Sequence, residues 1–167
     1  MDNTCKLFGS QYAASHIFFS DLLPPPEDKL AASMIQVRDG VAIDRDSEKA
    51  VDGYKYDYEV VAPAQTFTLN ILLEDPSDTD LALACLGVSE YVSGFGRIGG
   101  KKSRGLGACQ LRDLAIYELD LRTDDPIKRA EHLRRYLLGS TPQDKMTRAP
   151  DAEAFLNEHI QMLPVFH

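Results

Sequence analysis

An α+β fold is predicted for this 167-residue chain from three observations. Apolar and polar residues alternate in several segments of the first half, the period of half-buried strands. A helical stripe follows Pro76, and further helical patterns bounded by proline and glycine fill the C-terminal part. The strands come first, then a helix, a glycine-rich loop, another strand, and finally helices.

Residues 15–20 contain Ile17, Phe18 and Phe19 and read as a short strand. Pro24, Pro25 and Pro26 then break regular structure. Residues 36–44 alternate well enough for an extended segment with a kink at Gly40, and 45–53 form a polar connector. From 54 to 61 the pattern is extended again. Tyr54, Tyr56 and Tyr58 fall on one face and Lys55, Asp57 and Glu59 on the other. Residues 36–61 together read as a long, partly exposed hairpin. The cleanest strand covers 66–73, where Phe67, Leu69, Ile71 and Leu73 share one face and Thr66, Thr68 and Asn70 the other.

A helix is expected from Pro76 onward, with Ser77 as N-cap. Leu81, Ala84, Cys85, Val88 and Val92 form its apolar stripe, acids cluster at its start, and Ser93-Gly94 ends it. A strand over 108–119 follows the glycine-rich loop. Pro126 opens a helix closed by Gly139, and a last helix spans 151–161. The expected organisation is a core domain at 1–122 and a helical extension at 123–167.

Composition narrows the function classes. The formal charge is −8, which argues against a sequence-independent binder of polyanions and permits one focused basic strip. Cys5, Cys85 and Cys109 are few and scattered, so no disulfide framework is expected and a reducing cytoplasmic setting is. No metal site or cofactor is expected, since no second Cys or His follows Cys5 at ligand spacing. No apolar run is long enough to span a membrane, and no signal pattern opens the chain.

Residues 94–107 run against the global charge. They hold six glycines and four cations, Arg97, Lys101, Lys102 and Arg104, with no acid. Glycines let a backbone approach a ligand, and successive N–H groups can form an anion-binding concavity. The ligand such a loop implies is phosphate in a nucleotide or nucleic acid; the alternative is a plain surface turn. The loop is no Walker motif, and it follows a helical pattern, whereas a dinucleotide fingerprint follows a strand.

The order strand, strand, helix, strand is the second part of a βαββαβ ferredoxin-like (RRM-like) unit. The unit's first strand and helix have no counterpart in the sequence. Leu7-Phe-Gly-Ser10, Arg38-Asp-Gly-Val-Ala-Ile-Asp44 with Tyr58-Glu-Val-Val61, and Gly99-Gly-Lys-Lys-Ser-Arg-Gly-Leu-Gly107 occur in order. This set resembles the RAMP superfamily of CRISPR-associated proteins, and most nearly the repeated backbone subunit of type III effector complexes. The resemblance covers roughly residues 5–120.

The resemblance implies a ferredoxin-like core with a protruding hairpin, the thumb, and subunits that stack along a guide RNA. The thumb would include Val41 and Ile43, whose apolar side chains could wedge between bases or form hairpin core. Arg97, Gly99, Gly100, Lys101, Lys102, Ser103 and Arg104 would lie at the guide backbone, and Arg38 at the thumb base would contact RNA or pair with Asp39 or Asp44. The implied partners are guide RNA, target RNA and other effector subunits, including a chain that supplies the N-terminal half. Family members can cleave target RNA with an aspartate in a part not matched here, so no catalytic residue is carried over.

Other residues admit two readings. The tyrosine row could stack bases or pack across strands. His16 has no acid at motif spacing and reads as structural, with a general base as the alternative. Asp21, Asp39, Asp44 and Asp46 are the acids nearest the implied RNA path. The competing functions are a ribonuclease acting on guide precursor or target, and a small phosphate-ligand module.

Overall fold

The computed structural model describes residues 2–25, 34–43 and 50–163, with the side chains of 41–43 and 50–54 left aside. The chain is a mixed α+β fold whose described strands pair two by two. It forms two compact units, one of residues 1–17 with 73–167, the other of residues 18–72.

The first unit is built on three helices. Helix α1 (Asn3–Phe8) and helix α5 (Ala152–Gln161) both pack on α2 (Asp78–Val92). Leu7, Ala82, Ala84, Cys85 and Leu156 are buried where they meet. Helix α2 begins as expected: the Asp80 N–H donates to Ser77 Oγ, and Asp80 in turn accepts from the Ser77 backbone N–H, a capping box. Its buried positions include Ala82 and Asp80, which the apolar stripe did not contain. Burial raises the Cys85 thiol to about 11, with Glu118 adding to the effect, so it stays protonated and packs as a small apolar group.

Helix α1 was not legible. It has six residues and no side-chain cap, and depends on burial of Leu7. Helix α3 (Pro126–Leu138) starts from the Asp125 cap with Pro126 in its first turn and ends at Gly139, as the sequence indicates. A short α4 (Pro142–Lys145), capped by Thr141, was not expected. Helix α5 is capped by Asp151.

The strand expected over 108–119 is regular only at β5 (Tyr117–Glu118), which pairs antiparallel with β6 (Thr147–Arg148). The reason is local. The Leu111 N–H donates to the Tyr91 carbonyl at 2.9 Å, and Asp113 takes φ +54°, so the chain wraps the end of α2 and leaves no straight ladder edge.

The second unit contains the expected hairpin. Strands β2 (Ile35–Ile43) and β3 (Ala50–Val61) pair antiparallel, from Ile35 opposite Val61 to Ile43 opposite Ala50. The irregularity falls between Val41 and Ile43, after Gly40. Gly40 has another role: a Cβ there would lie 2.5 Å from the Tyr56 ring, which crosses the opposite strand. The tip, with Asp44 and Asp46, lies outside the described residues.

Strands β1 (Ile17–Phe19) and β4 (Ile71–Leu73) also pair. The Ser20 N–H donates to the Asn70 carbonyl at 3.0 Å, and Leu23 and Thr68 exchange two backbone bonds. Only 71–73 of the expected 66–73 is regular strand, yet burial alternates throughout, with Phe67, Leu69 and Ile71 half-buried and Thr66, Thr68 and Asn70 exposed.

Candidate nucleic-acid interface

The glycine-rich loop belongs to the first unit and is anchored at both ends. Ser93 caps α2, and Gly94 at φ +78° turns the chain so that the Phe95 and Gly96 N–H groups both donate to the Glu90 carbonyl. Gly96 is buried under Tyr91, whose ring occupies the space a Cβ would need. The Tyr91 hydroxyl donates to the Arg97 carbonyl at 3.4 Å. Arg97 and Ala108 then form an antiparallel bridge, and the Ile98 N–H donates to the Gly107 carbonyl at 2.9 Å.

Gly107 is the tightest point. It sits at φ +77°, and a Cβ there would collide with the Ile98 carbonyl oxygen. Gly99 and Gly100 face open space.

Between these anchors Lys101 is left-handed at φ 57° and ψ 29°, and a 3₁₀ turn follows over Lys102–Arg104. Gly105 closes the turn with φ 81°, its N–H donating to Lys102. A left-handed residue followed by right-handed ones turns successive N–H groups toward one side, the geometry of an anion-binding nest. Arg97, Lys102, Ser103 and Arg104 are exposed and Lys101 is half-buried. Among the described residues, Arg97 and Lys102 make no ion pair. The turn therefore gathers Lys101, Lys102 and Arg104 beside a backbone cradle, with Arg97 at the bridge that closes the loop.

Phe95 was missed. It is 75% exposed and directly precedes the buried Gly96. In proteins that bind single strands, exposed aromatics of this kind stack bases. The signal was its position inside the glycine-rich stretch.

Arg38, Val41 and Ile43 lie on the hairpin of the other unit. Arg38 is exposed and stands opposite Tyr58. Asp39 does not pair with it; Lys55 Nζ lies 3.3 Å from Asp39 Oδ2. Hydrogen bonds from Lys55 and with Asp57, followed by the Lys55 charge, hold the Asp39 carboxyl below its ordinary value. Asp44 and the side chains of Val41, Ile43 and Tyr54 lie outside the described residues. The Tyr56 and Tyr58 rings stand 6.1 Å apart on the face that carries Arg38.

His16 has a partner that spacing concealed. Its Nδ1 lies 3.3 Å from Asp80 Oδ2, and the two are separated by 64 residues in sequence. Asp80 is buried, and the same oxygen accepts from the Ser77 hydroxyl at 2.6 Å and the Ser77 N–H at 3.1 Å. Burial pushes the Asp80 carboxyl up, but the Ser77 hydrogen bonds and the His16 ring outweigh it and hold the carboxyl below its ordinary value. A carboxylate accepts, so the neutral ring carries its proton on Nδ1 and leaves the Nε2 lone pair available as a base. Among the described residues, no group of three His, Cys, Asp or Glu is gathered to hold a metal.

The depressed Asp80 value has a consequence for stability. The hydrogen-bonded carboxylate stabilises the fold at pH values above the ordinary Asp value of about 3.9, and that contribution is lost as pH falls through the lower folded value. Asp80→Asn is expected to flatten the acid limb of the stability curve below about pH 4 and to cost about 1–3 kcal/mol at neutral pH. Urea denaturation across pH 2–7 (roughly the range over which carboxylates titrate) checks both.

No helix among the described residues is long and apolar enough to cross a membrane. Residues 2–110 match the family of RAMPs, the RAMP superfamily, and this stretch contains the whole glycine-rich loop, the hairpin and the His16–Asp80 pair. No curated protein matches the chain.

Proposed function

The chain belongs to the RAMP superfamily, and from that membership we propose that it is an RNA-binding backbone subunit of a type III CRISPR interference complex. The loop at 97–107 holds guide-RNA phosphates, and the Arg38–Tyr58 hairpin acts as the thumb. Guide and target RNA are the ligands, and other effector subunits are the protein partners. The observation that carries this reading is the doubly anchored loop, with Lys101, Lys102 and Arg104 on one fixed turn of an otherwise acidic chain. Contacts of this kind position a strand without reading its sequence, so base pairing between guide and target supplies specificity.

The His16–Asp80 pair favours a second reading, a ribonuclease acting on guide precursor or target RNA. His16 would take the proton of a ribose 2′-hydroxyl through Nε2, with Asp80 holding the ring.

One experiment separates the two. The chain is purified from cells that express its neighbouring genes, and the bound RNA is sequenced after nuclease protection. Guide-length RNA with co-purifying subunits, unchanged by His16→Ala, is the result expected of a backbone subunit. RNA ends that lengthen in His16→Ala favour the ribonuclease. A clean monomer without RNA removes both and leaves a small phosphate ligand.

A further inference from the structure

The glycine-rich stretch carries one group that phosphate binding does not use. Gly94 to Gly107 holds four cations and no acid, and it also holds Phe95. Phosphate oxygens are held by cations and N–H groups, and a phenyl ring offers neither. A single exposed apolar residue is ordinary on a protein surface. Phe95 differs in how it is held and where.

The backbone on both sides of it is pinned. Gly94 turns at φ +78°, and the Phe95 N–H donates to the Glu90 carbonyl at 2.9 Å. The Gly96 N–H donates to the same oxygen at 3.0 Å, and the Gly96 carbonyl accepts from the Cys109 N–H at 3.5 Å. The space beside buried Gly96 is filled by the Tyr91 ring. Phe95, 75% exposed, is left with its two side-chain torsions to adjust. A ring on a fixed backbone loses little freedom when a flat partner packs on it.

The placement is the second point. Arg97 is exposed and lies two residues on, a reach of about 7 Å of chain. Its bridge to Ala108 closes the loop that carries Lys101, Lys102 and Arg104. A free phosphate ion would match the cations alone. A nucleic-acid strand brings both a charged backbone and flat bases, and it matches the cations and the ring together.

We propose that Phe95 stacks on a base of the strand whose phosphates the loop holds. The inference rests on the RNA-binding role proposed for the loop and adds to it a contact with the base. Every base has a π face, so the contact tolerates any sequence. It neutralises no phosphate and releases no counterion, so salt does not weaken it.

The full chain is freed of nucleic acid by nuclease and salt. Its binding to single-stranded oligoadenylate is then measured by filter binding at several salt concentrations. Phe95→Leu keeps an apolar side chain and removes the ring. It is expected to weaken binding about tenfold and to leave the slope of log affinity against log salt unchanged. On an abasic ribose-phosphate strand of equal length, Phe95→Leu and wild type are expected to bind alike. The chain has no tryptophan, so Phe95→Trp introduces a single indole. That variant is expected to bind oligoadenylate at least as tightly as wild type, with fluorescence quenched more by oligoadenylate than by the abasic strand. Circular dichroism and melting check that both variants stay folded. A Phe95→Leu chain that binds oligoadenylate as tightly as wild type would overturn the stacking contact and leave the reading of the loop intact. An equal loss on both strands would also overturn it, because Phe95 would then act through the shape of the loop. A wild type that binds neither strand would remove the reading of the loop, and the stacking contact with it.

Discussion

Replacing Lys101, Lys102 and Arg104 together by alanine is expected to lower affinity for guide-length RNA about a hundredfold, two contacts' worth or more at roughly 1.5 kcal/mol each. The three residues occupy one fixed turn, so on the proposed reading they would engage successive phosphates of a single strand segment. Each phosphate neutralised releases counterions, and the slope of log affinity against log salt should fall in magnitude by about 2 for three lost contacts on single-stranded RNA. Filter binding at several salt concentrations reads both quantities. Loss of affinity with an unchanged slope would remove these cations from the phosphate path. Lys102 and Arg104 are exposed and Lys101 is half-buried, and circular dichroism and melting of the triple variant check that the fold is kept.

Gly107→Ala is expected to abolish the same binding without removing a charge. The alanine Cβ would collide with the Ile98 carbonyl, and the residue would be held at φ +77°. The left-handed strain alone costs about 1–3 kcal/mol, and the collision adds to it. The Ile98–Gly107 hydrogen bond then opens and the loop loses one anchor. Gly100→Ala is the control, because a Cβ at Gly100 meets open space. A melting temperature lowered for Gly107→Ala and unchanged for Gly100→Ala, with RNA binding lost in Gly107→Ala, checks the assignment. Equal effects at both positions would show that the glycines act only as flexible spacers.

How much of this was legible depended on how local the cause was. Ser77, Pro126 and Gly139 act within a turn of their own helices, and the sequence placed those ends well. The hairpin was legible because its alternation persists over many residues. The strand at 108–119 was not, because the Leu111 N–H is committed to the Tyr91 carbonyl, a contact no local pattern records. The site divides in the same way. The four cations and their glycines announce themselves in one stretch. His16 and Asp80 are joined only when the chain brings the start of α2 against the residue that precedes β1. Gly40 was legible as a special position, but the Tyr56 ring that fills the space of its missing Cβ lies on the partner strand, where no local pattern records it.

The double anchoring of the loop also has a mechanical side. Its two legs are tied by the Arg97–Ala108 bridge, and its base hangs on the carbonyls of Glu90 and Tyr91 at the end of α2. A pull on whatever the tip holds is delivered to the last turn of α2, and through α2 to its packing against α5. The loop is tied to the longest helix of its unit, so on the proposed reading tension along a bound strand would pass through that helix to the helical core.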